Sequence, residues 1–274
     1  MKKRKSSCNI KEFNKICKDI KEIRIQGATN VARYALKAYY HCPGKSMKKK
    51  LLRLRPTEPM LSHVLELAEV IDKKQIIDHF SSSQDRINQL VFKLIKNNSV
   101  IFTHCHSTNV VKALIYCKKK GKKFEVYNTE TRPLYQGRKT SRELKKAGIK
   151  VTQFVDSAAA IALKKVQGTK KASMVLLGAD AILKDKVINK VGSGMISQLA
   201  KDYKISLYIV ADSWKYASKS VKIEERHFKE VWGTKKVHIR NPAFESIPAK
   251  QIKGIVSELG ILSYKNFIKK VKKR

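Results

Sequence analysis

Cys105 stands in the pentapeptide Thr103-His104-Cys105-His106-Ser107, directly after the apolar run 99–102, and Asp180 closes Gly178-Ala179-Asp180 after a second apolar run. In an alternating strand and helix pattern both positions fall at carboxyl ends of parallel strands, where open α/β sheets place ligands and chemistry. A thiol and a carboxylate facing one crevice are a proton-transfer pair. A thiol of ordinary pKa near ~8.5 needs only a modest downward shift to serve as a base at neutral pH. The plain alternatives are a small buried filler for Cys105 and a turn or helix cap for Asp180. His104 and His106 flank the cysteine and raise the question of a metal. Consecutive side chains of an extended segment point to opposite faces, however, and no spaced Cys/His set accompanies them, so no metal is expected. His106 is expected to help lower the thiol pKa, and His104 to hold a structural hydrogen bond.

Phosphate recognition is expected at helix starts, where unpaired N–H groups and the dipole favour an anion. Asn189 and Lys190 precede Gly192-Ser193-Gly194 at one predicted start, and Ser107 opens the helix after Cys105. Ordinary capping is the alternative for Asn189 and Ser107.

These residues need a scaffold. Over the first third, Ile10, Phe13, Ile16, Cys17 and Ile20 recur at helical spacing, as do Ile87, Leu90, Val91, Leu94 and Ile95, with 31–39 and 61–71 between them, predicting four amphipathic helices. Pro43-Gly44 breaks the second helix, and Pro56 stands near the start of the third. From residue 97 the pattern becomes short β-branched runs, 100–103, 124–127, 151–155, 174–177 and 205–210, alternating with helices near 108–120, 138–147, 157–167 and 190–203. The fold class expected is α/β: a helical amino-terminal domain over 1–97, then a Rossmann-like domain over 98–274 with a mostly parallel sheet.

The chain has 274 residues, 42% of them hydrophobic, enough to bury a substantial core. No run approaches a membrane span, and the basic start 1–5 leads into Ser6 and Ser7 rather than an apolar leader, so a soluble cytoplasmic protein is expected. Cys8, Cys17, Cys42, Cys105 and Cys117 show no CxxC spacing, and reduced thiols are expected. The net charge of +38 invites nucleic acid. Lysines lie along the whole chain and far outnumber arginines, so a diffuse positive coat is the reading: nonspecific RNA contact is allowed as a side property, and a small anionic substrate is attracted.

The ordered series Thr103-His104-Cys105-His106-Ser107, 129–138 (Thr129 to Arg138), Val155-Asp156-Ser157-Ala158, Gly178-Ala179-Asp180, Asn189-Lys190-Val191-Gly192 and Asn241-Pro242-Ala243-Phe244 resembles the family that unites sugar-1-phosphate isomerases with regulatory subunits of translation initiation factor 2B. Ile25-Gln26-Gly27-Ala28 and Arg55-Pro56-Thr57 resemble its amino-terminal motifs, and within the family the chain looks most similar to archaeal ribose-1,5-bisphosphate isomerases. The resemblance implies that Cys105 and Asp180 are catalytic and that Gln26, Gly27, Ala28, Arg55, Ser107, Gln136, Asn189 and Lys190 bind substrate. It also implies an aldose-ketose isomerase of nucleotide salvage (AMP metabolism) acting on a phosphorylated pentose, with no cofactor or metal, assembled as a homodimer or a hexamer of dimers. A non-catalytic initiation factor 2B-like subunit that binds a nucleotide or sugar phosphate is the alternative. The chain departs from the isomerase pattern at Gln26, where an arginine is usual, at Glu245 within 244–248, and at Lys186 in place of a glycine.

Overall fold

The computed structural model describes residues 8–273; the basic start 1–7 and Arg274 lie outside the described residues. Helix α1 (Ile10–Lys21) is capped by Asn9, whose Oδ1 accepts from the Glu12 N–H at 3.1 Å, and buries Phe13, Ile16, Cys17 and Ile20. That face packs on Val31, Ala35 and Ala38 of α2 (Ala28–His41). Two further helices, α3 (Lys45–Leu52) and α4 (Pro59–Leu67), and the 22-residue α5 (Lys73–Leu94) complete the set. Among the described residues five helices thus stand where four were expected. The one missed is α3, which buries only Leu51 and whose lysine-rich sequence carries too thin an apolar stripe to show as a period. Pro59, rather than Pro56, opens α4 at its first turn, where a missing N–H costs nothing. The second half of α5 and the residues after it (Ile87, Leu90, Val91, Ile95) sit in the core of the α/β region.

Strands β1 (Ser99–Thr103), β2 (Phe124–Thr129), β3 (Lys150–Phe154), β4 (Met174–Leu177) and β7 (Ser206–Val210) match the five strand-like runs, with β5 (Ala181–Ile182) and β6 (Lys186–Lys190) between β4 and β7. Helices α6 (Thr108–Lys119), α7 (Gln136–Lys146), α8 (Ala159–Leu163) and α9 (Ser193–Asp202) connect them. The chain ends with β8 (Phe244–Pro248), β9 (Gly254–Ser257), β10 (Gly260–Leu262) and α10 (Tyr264–Val271), none of which the sequence pattern announced. The main sheet runs β10-β9-β7-β4-β1-β2-β3 and is parallel except for β10. Its faces are covered by two apolar clusters, one around Phe102, Val175 and Ile209, the other around Ile101, Leu114 and Leu176. Strand order reverses between β1 and β4, and this switch point is where a crevice opens at the carboxyl ends of a doubly wound sheet.

A three-stranded antiparallel sheet, β5-β6-β8, stands beyond β4. It corrects the sequence reading around 190, because Asn189 and Lys190 end a strand and the helix starts only at Ser193. Another correction concerns the cysteines. Cys8 and Cys42 are joined as a disulfide with Cα atoms 4.5 Å apart, whereas Cys17, Cys105 and Cys117 are free. Spacing alone could not reveal this pair, since the α1-α2 hairpin is what brings residues 34 apart in sequence together.

Candidate active site

Cys105 follows β1 and Asp180 follows β4, on the two neighbouring strands that flank the switch point. The turn after β1 forces Cys105 to φ +66°, a left-handed conformation that costs a non-glycine residue about 1–3 kcal/mol and needs support on both sides. Its N–H donates to Thr131 Oγ1 at 3.0 Å, and its carbonyl accepts from Thr140 Oγ1 at 2.8 Å. Thr131 is in turn held by Asp156, which accepts from the Thr131 and Arg132 N–H groups at 2.8 and 2.6 Å. Asp156 therefore sets the thiol through Thr131. Two glycines permit the approach of these loops. A Cβ on Gly178 would lie 2.5 Å from Ser107 Oγ, and one on Gly137 would lie 1.8 Å from the Thr129 carbonyl oxygen.

The histidines turn away from the thiol. His104 is buried, with Nδ1 on Thr129 Oγ1 and Nε2 2.9 Å from the Val191 carbonyl, the structural role expected of it. His106 Nδ1 lies 3.0 Å from Thr140 Oγ1, and burial pushes its pKa down to about 4, so the ring is neutral near pH 7. The expectation that its ring lowers the thiol pKa is thereby overturned; only its backbone N–H favours the thiolate. Burial in fact pushes the Cys105 thiol up to about 11, against the pull of Lys190, and the Asp180 carboxylate raises it further. Burial also raises the Asp180 pKa, although Lys215, Lys190, Arg55 and Arg226 all oppose it. Among the described residues the Asp180 carboxylate takes no hydrogen bond; only its backbone N–H is engaged, on Ile188 O at 2.9 Å. It is neither a helix cap nor a turn lock.

The cleft at this point measures about 740 Å³ with the open solvent at its mouth included. Its lining gathers Cys105, Asp180, Gln26, Gly27, Ala28, Arg55, Ser107, Gln136, Asn189 and Lys190 from across the chain. The exposed Arg132 and Arg138 stay outside, the latter paired with Glu130 at 2.7 Å. The helix starts do not behave as expected. At α9 the Gly194 N–H donates to Glu245 Oε1 at 2.7 Å, so a protein carboxylate already occupies the position reserved for phosphate, and Asn189 donates to Ser193 Oγ at 2.8 Å. The start of α2 carries no such cap: Gly27 at φ +82° precedes it without a side-chain hydrogen bond, and Gly27 and Ala28 line the pocket. At α6, Ser107 Oγ accepts from the Val110 N–H. Gln26 folds back and donates to the Ile23 carbonyl at 2.7 Å.

The model of the initiation factor 2 subunit family matches residues 25–264. The chain belongs to this family. Among curated proteins it is 32% identical to the ribose 1,5-bisphosphate isomerase of Methanocaldococcus jannaschii, over 89% of each chain. It is 28% identical to the ribose 1,5-bisphosphate isomerase of Archaeoglobus fulgidus, over 92% of this chain and 90% of that protein. Among solved structures, the Pyrococcus horikoshii translation initiation factor eIF-2B superposes with a TM-score of 0.79 at 25% identity, covering 92% of this chain and 96% of that one. Among the described residues no helix is long and apolar enough to cross a membrane.

Several pocket residues of this family member escaped the sequence reading. Lys215 is buried, donating to the Ala179 carbonyl at 2.8 Å and reaching Asn109 Oδ1 at 3.4 Å, which ties it to the backbone just before Asp180. Its place in Asp212-Ser213-Trp214-Lys215, beyond the carboxyl end of β7, was a usable signal. Glu58 pairs with Arg55 at 2.9 Å across the turn that leads into α4, yet burial outweighs Arg55 and pushes its carboxyl up to about 7. Arg226 comes from an irregular stretch without periodicity and gave no signal.

Proposed function

We propose that the chain is an intramolecular aldose-ketose isomerase that converts ribose 1,5-bisphosphate to ribulose 1,5-bisphosphate. The observation that carries this reading is Asp180: a carboxylate without a hydrogen bond among the described residues, pushed toward its neutral acid by burial, in one cation-lined pocket with the Cys105 thiol. Such a pair can move one proton at carbon and one at oxygen without any other reagent. Lys190, Lys215 and Arg55 supply positive charge for two phosphates, and the uncapped start of α2 at Gly27 and Ala28 supplies N–H donors.

The steps balance within the two side chains. The Cys105 thiolate takes the proton from C2 as the bond from C1 to the ring oxygen breaks, while the Asp180 carboxylic acid protonates that oxygen. The product of this step is an enol phosphate across C1 and C2. Asp180, now ionised, removes the C2 hydroxyl proton as the Cys105 thiol delivers its proton to C1, which yields the ketose and restores both groups. The direction of the Asp180 shift suits this division, whereas burial of the Cys105 thiol opposes its ionisation and leaves the pocket cations Lys190 and Arg226 to favour the thiolate. Asp180 is favoured as the acid, and its neutral form relieves Cys105 of the negative neighbour that raises it. Lys190, whose own pKa burial lowers, is the largest influence favouring the thiolate. Ser107, Gln136 and Asn189 bind the sugar and phosphate oxygens, and Gln26 lines the position where the isomerases carry a cation.

A place in nucleotide salvage in the cytoplasm and a homodimer or a hexamer of dimers belong to the same reading. The test is a panel of phosphorylated pentoses followed by ¹³C NMR: a ketone carbon must grow from ribose 1,5-bisphosphate. Tight binding of a sugar phosphate or nucleotide with no ketose from any pentose would transfer the chain to the regulatory side of its family.

A further inference from the structure

The pocket contains two guanidiniums with donors left unused. Arg55 and Arg226 have side chains only 4% and 6% exposed, and both line the pocket. Nε and Nη1 of each are buried without a hydrogen-bond partner among the described residues. Burying an unpaired charged donor is expensive, and native proteins keep such donors where a ligand completes them. Between the two stands Glu224, with Oε2 3.5 Å from Arg55 Nε and Oε1 3.7 Å from Arg226 Nε. Both distances exceed the reach of a good N–H to oxygen hydrogen bond, about 2.7–3.2 Å. Glu224 Oε2 is itself buried and takes no hydrogen bond among the described residues. The carboxylate therefore balances charge between the arginines without saturating either.

The backbone holds this arrangement in place. The Arg226 N–H donates to the Asn241 carbonyl at 2.9 Å, and the Glu224 carbonyl accepts from the Ala243 N–H at 2.9 Å, just ahead of β8. Thr57 Oγ1 donates to the Lys222 carbonyl, which links the Arg55 loop to the stretch that carries Arg226. Glu58 occupies only one of the Arg55 nitrogens, Nη2. The folded-back Gln26 brings no cation to this end of the pocket.

We propose that Arg226 and Arg55 form a two-armed phosphate clamp, with Glu224 as the internal anion that a substrate phosphate displaces from between them. The proposal deepens the isomerase reading and rests on it for the ligand: one phosphate of the bisphosphate bridges the arginines, and the other lies toward Lys190. A dianionic phosphoryl group offers three oxygens to the free Nε and Nη1 donors, which a single carboxylate at these distances does not satisfy.

The experiment is calorimetric binding of ribose 1,5-bisphosphate, ribose 1-phosphate and ribose 5-phosphate to the full chain and to Arg226→Ala, Arg226→Lys and Glu224→Gln, with circular dichroism to verify the fold. The clamp predicts that Arg226→Ala weakens the bisphosphate by about tenfold or more, and one of the two monophosphates far less than the other. Arg226→Lys recovers only part of the loss because it lacks the fork, and Glu224→Gln binds the bisphosphate more tightly than the parent. Equal losses for all three ligands in Arg226→Ala, a loss below twofold for the bisphosphate, or weaker binding in Glu224→Gln would overturn the clamp. Failure of the isomerase reading has a different signature, since the parent chain would then form no ketose from any pentose phosphate, whether or not it binds one. Inorganic phosphate serves as the probe in that case: thermal protection of the parent that Arg226→Ala loses supports the clamp, and equal or absent protection in both overturns it.

Discussion

Two aspartates stand just beyond the carboxyl ends of neighbouring parallel strands, Asp180 after β4, lining the pocket, and Asp212 after β7, buried. Their surroundings set them apart. Burial works against the Asp212 anion, but His79 at 3.1 Å, Ser83 at 2.5 Å and the Trp214 N–H at 2.9 Å all bond to it, and its pKa falls. His79 is stacked on Trp214 at 3.5 Å and fixed there. Asp180 faces four cations yet accepts no hydrogen bond among the described residues, and its pKa rises. A saturated carboxylate at this end of a sheet holds loops together; an unsaturated one is left for a ligand and for proton traffic.

The largest expected effect comes from exchanging the charged oxygen for an amide. Asp180→Asn should lower kcat by about 10²–10⁴-fold with little change in KM, whereas Asp212→Asn, where folded, should keep kcat within a few-fold. Steady-state kinetics of the two variants side by side decides it, and comparable losses would erase the distinction drawn between them. Next in size is Lys190→Ala, which removes a charge from a buried contact and should weaken sugar-phosphate binding by about 10–100-fold in calorimetry.

Stability should move in opposite directions. The Asp212 pKa is depressed in the fold, so its contribution is present above its unfolded value and lost as pH falls through the folded pKa. Asp212→Asn should therefore cost about 1–3 kcal/mol at pH 7 in urea unfolding, and less below pH ~4. The Asp180 pKa is raised, so stability is full below its unfolded value and declines as pH rises through the folded pKa; Asp180→Asn should unfold at equal or higher urea than the parent at pH 7. The smallest effect belongs to the surface. Lys272→Gln with Lys273→Gln should leave kcat/KM within about twofold, because exposed charges are screened beyond about 8 Å at physiological salt, while any RNA affinity should fall with salt.

Much of the comparison was legible in the residues themselves. β-Branched runs fixed β1 to β4 and β7, and the rule that chemistry gathers at their carboxyl ends located Cys105 and Asp180. Lys215 lay within reach of the same rule. The β5-β6-β8 sheet stayed hidden because β5 has two residues and β6 ends in polar Asn189-Lys190, which left the α9 start misjudged and Glu245 without a role. Hydrogen-bond saturation, which separates Asp180 from Asp212, depends on residues far apart in sequence such as His79 and Asp212. The direction of the Cys105 shift was missed for the same reason: its burial depends on residues as far apart as Gln26, Lys190 and Phe244, which only the fold gathers around one pocket.

The most direct test is product formation from ribose 1,5-bisphosphate by the parent chain and by Cys105→Ser, followed by ¹³C NMR, with calorimetric binding to both. The parent should accumulate ribulose 1,5-bisphosphate. Cys105→Ser should bind the substrate but form ketose at least about a hundredfold more slowly, since a serine hydroxyl is too weak an acid to supply the base. Turnover of Cys105→Ser within about tenfold of the parent, a barrier change near ~1.4 kcal/mol, would contradict the thiol's role in moving the carbon proton.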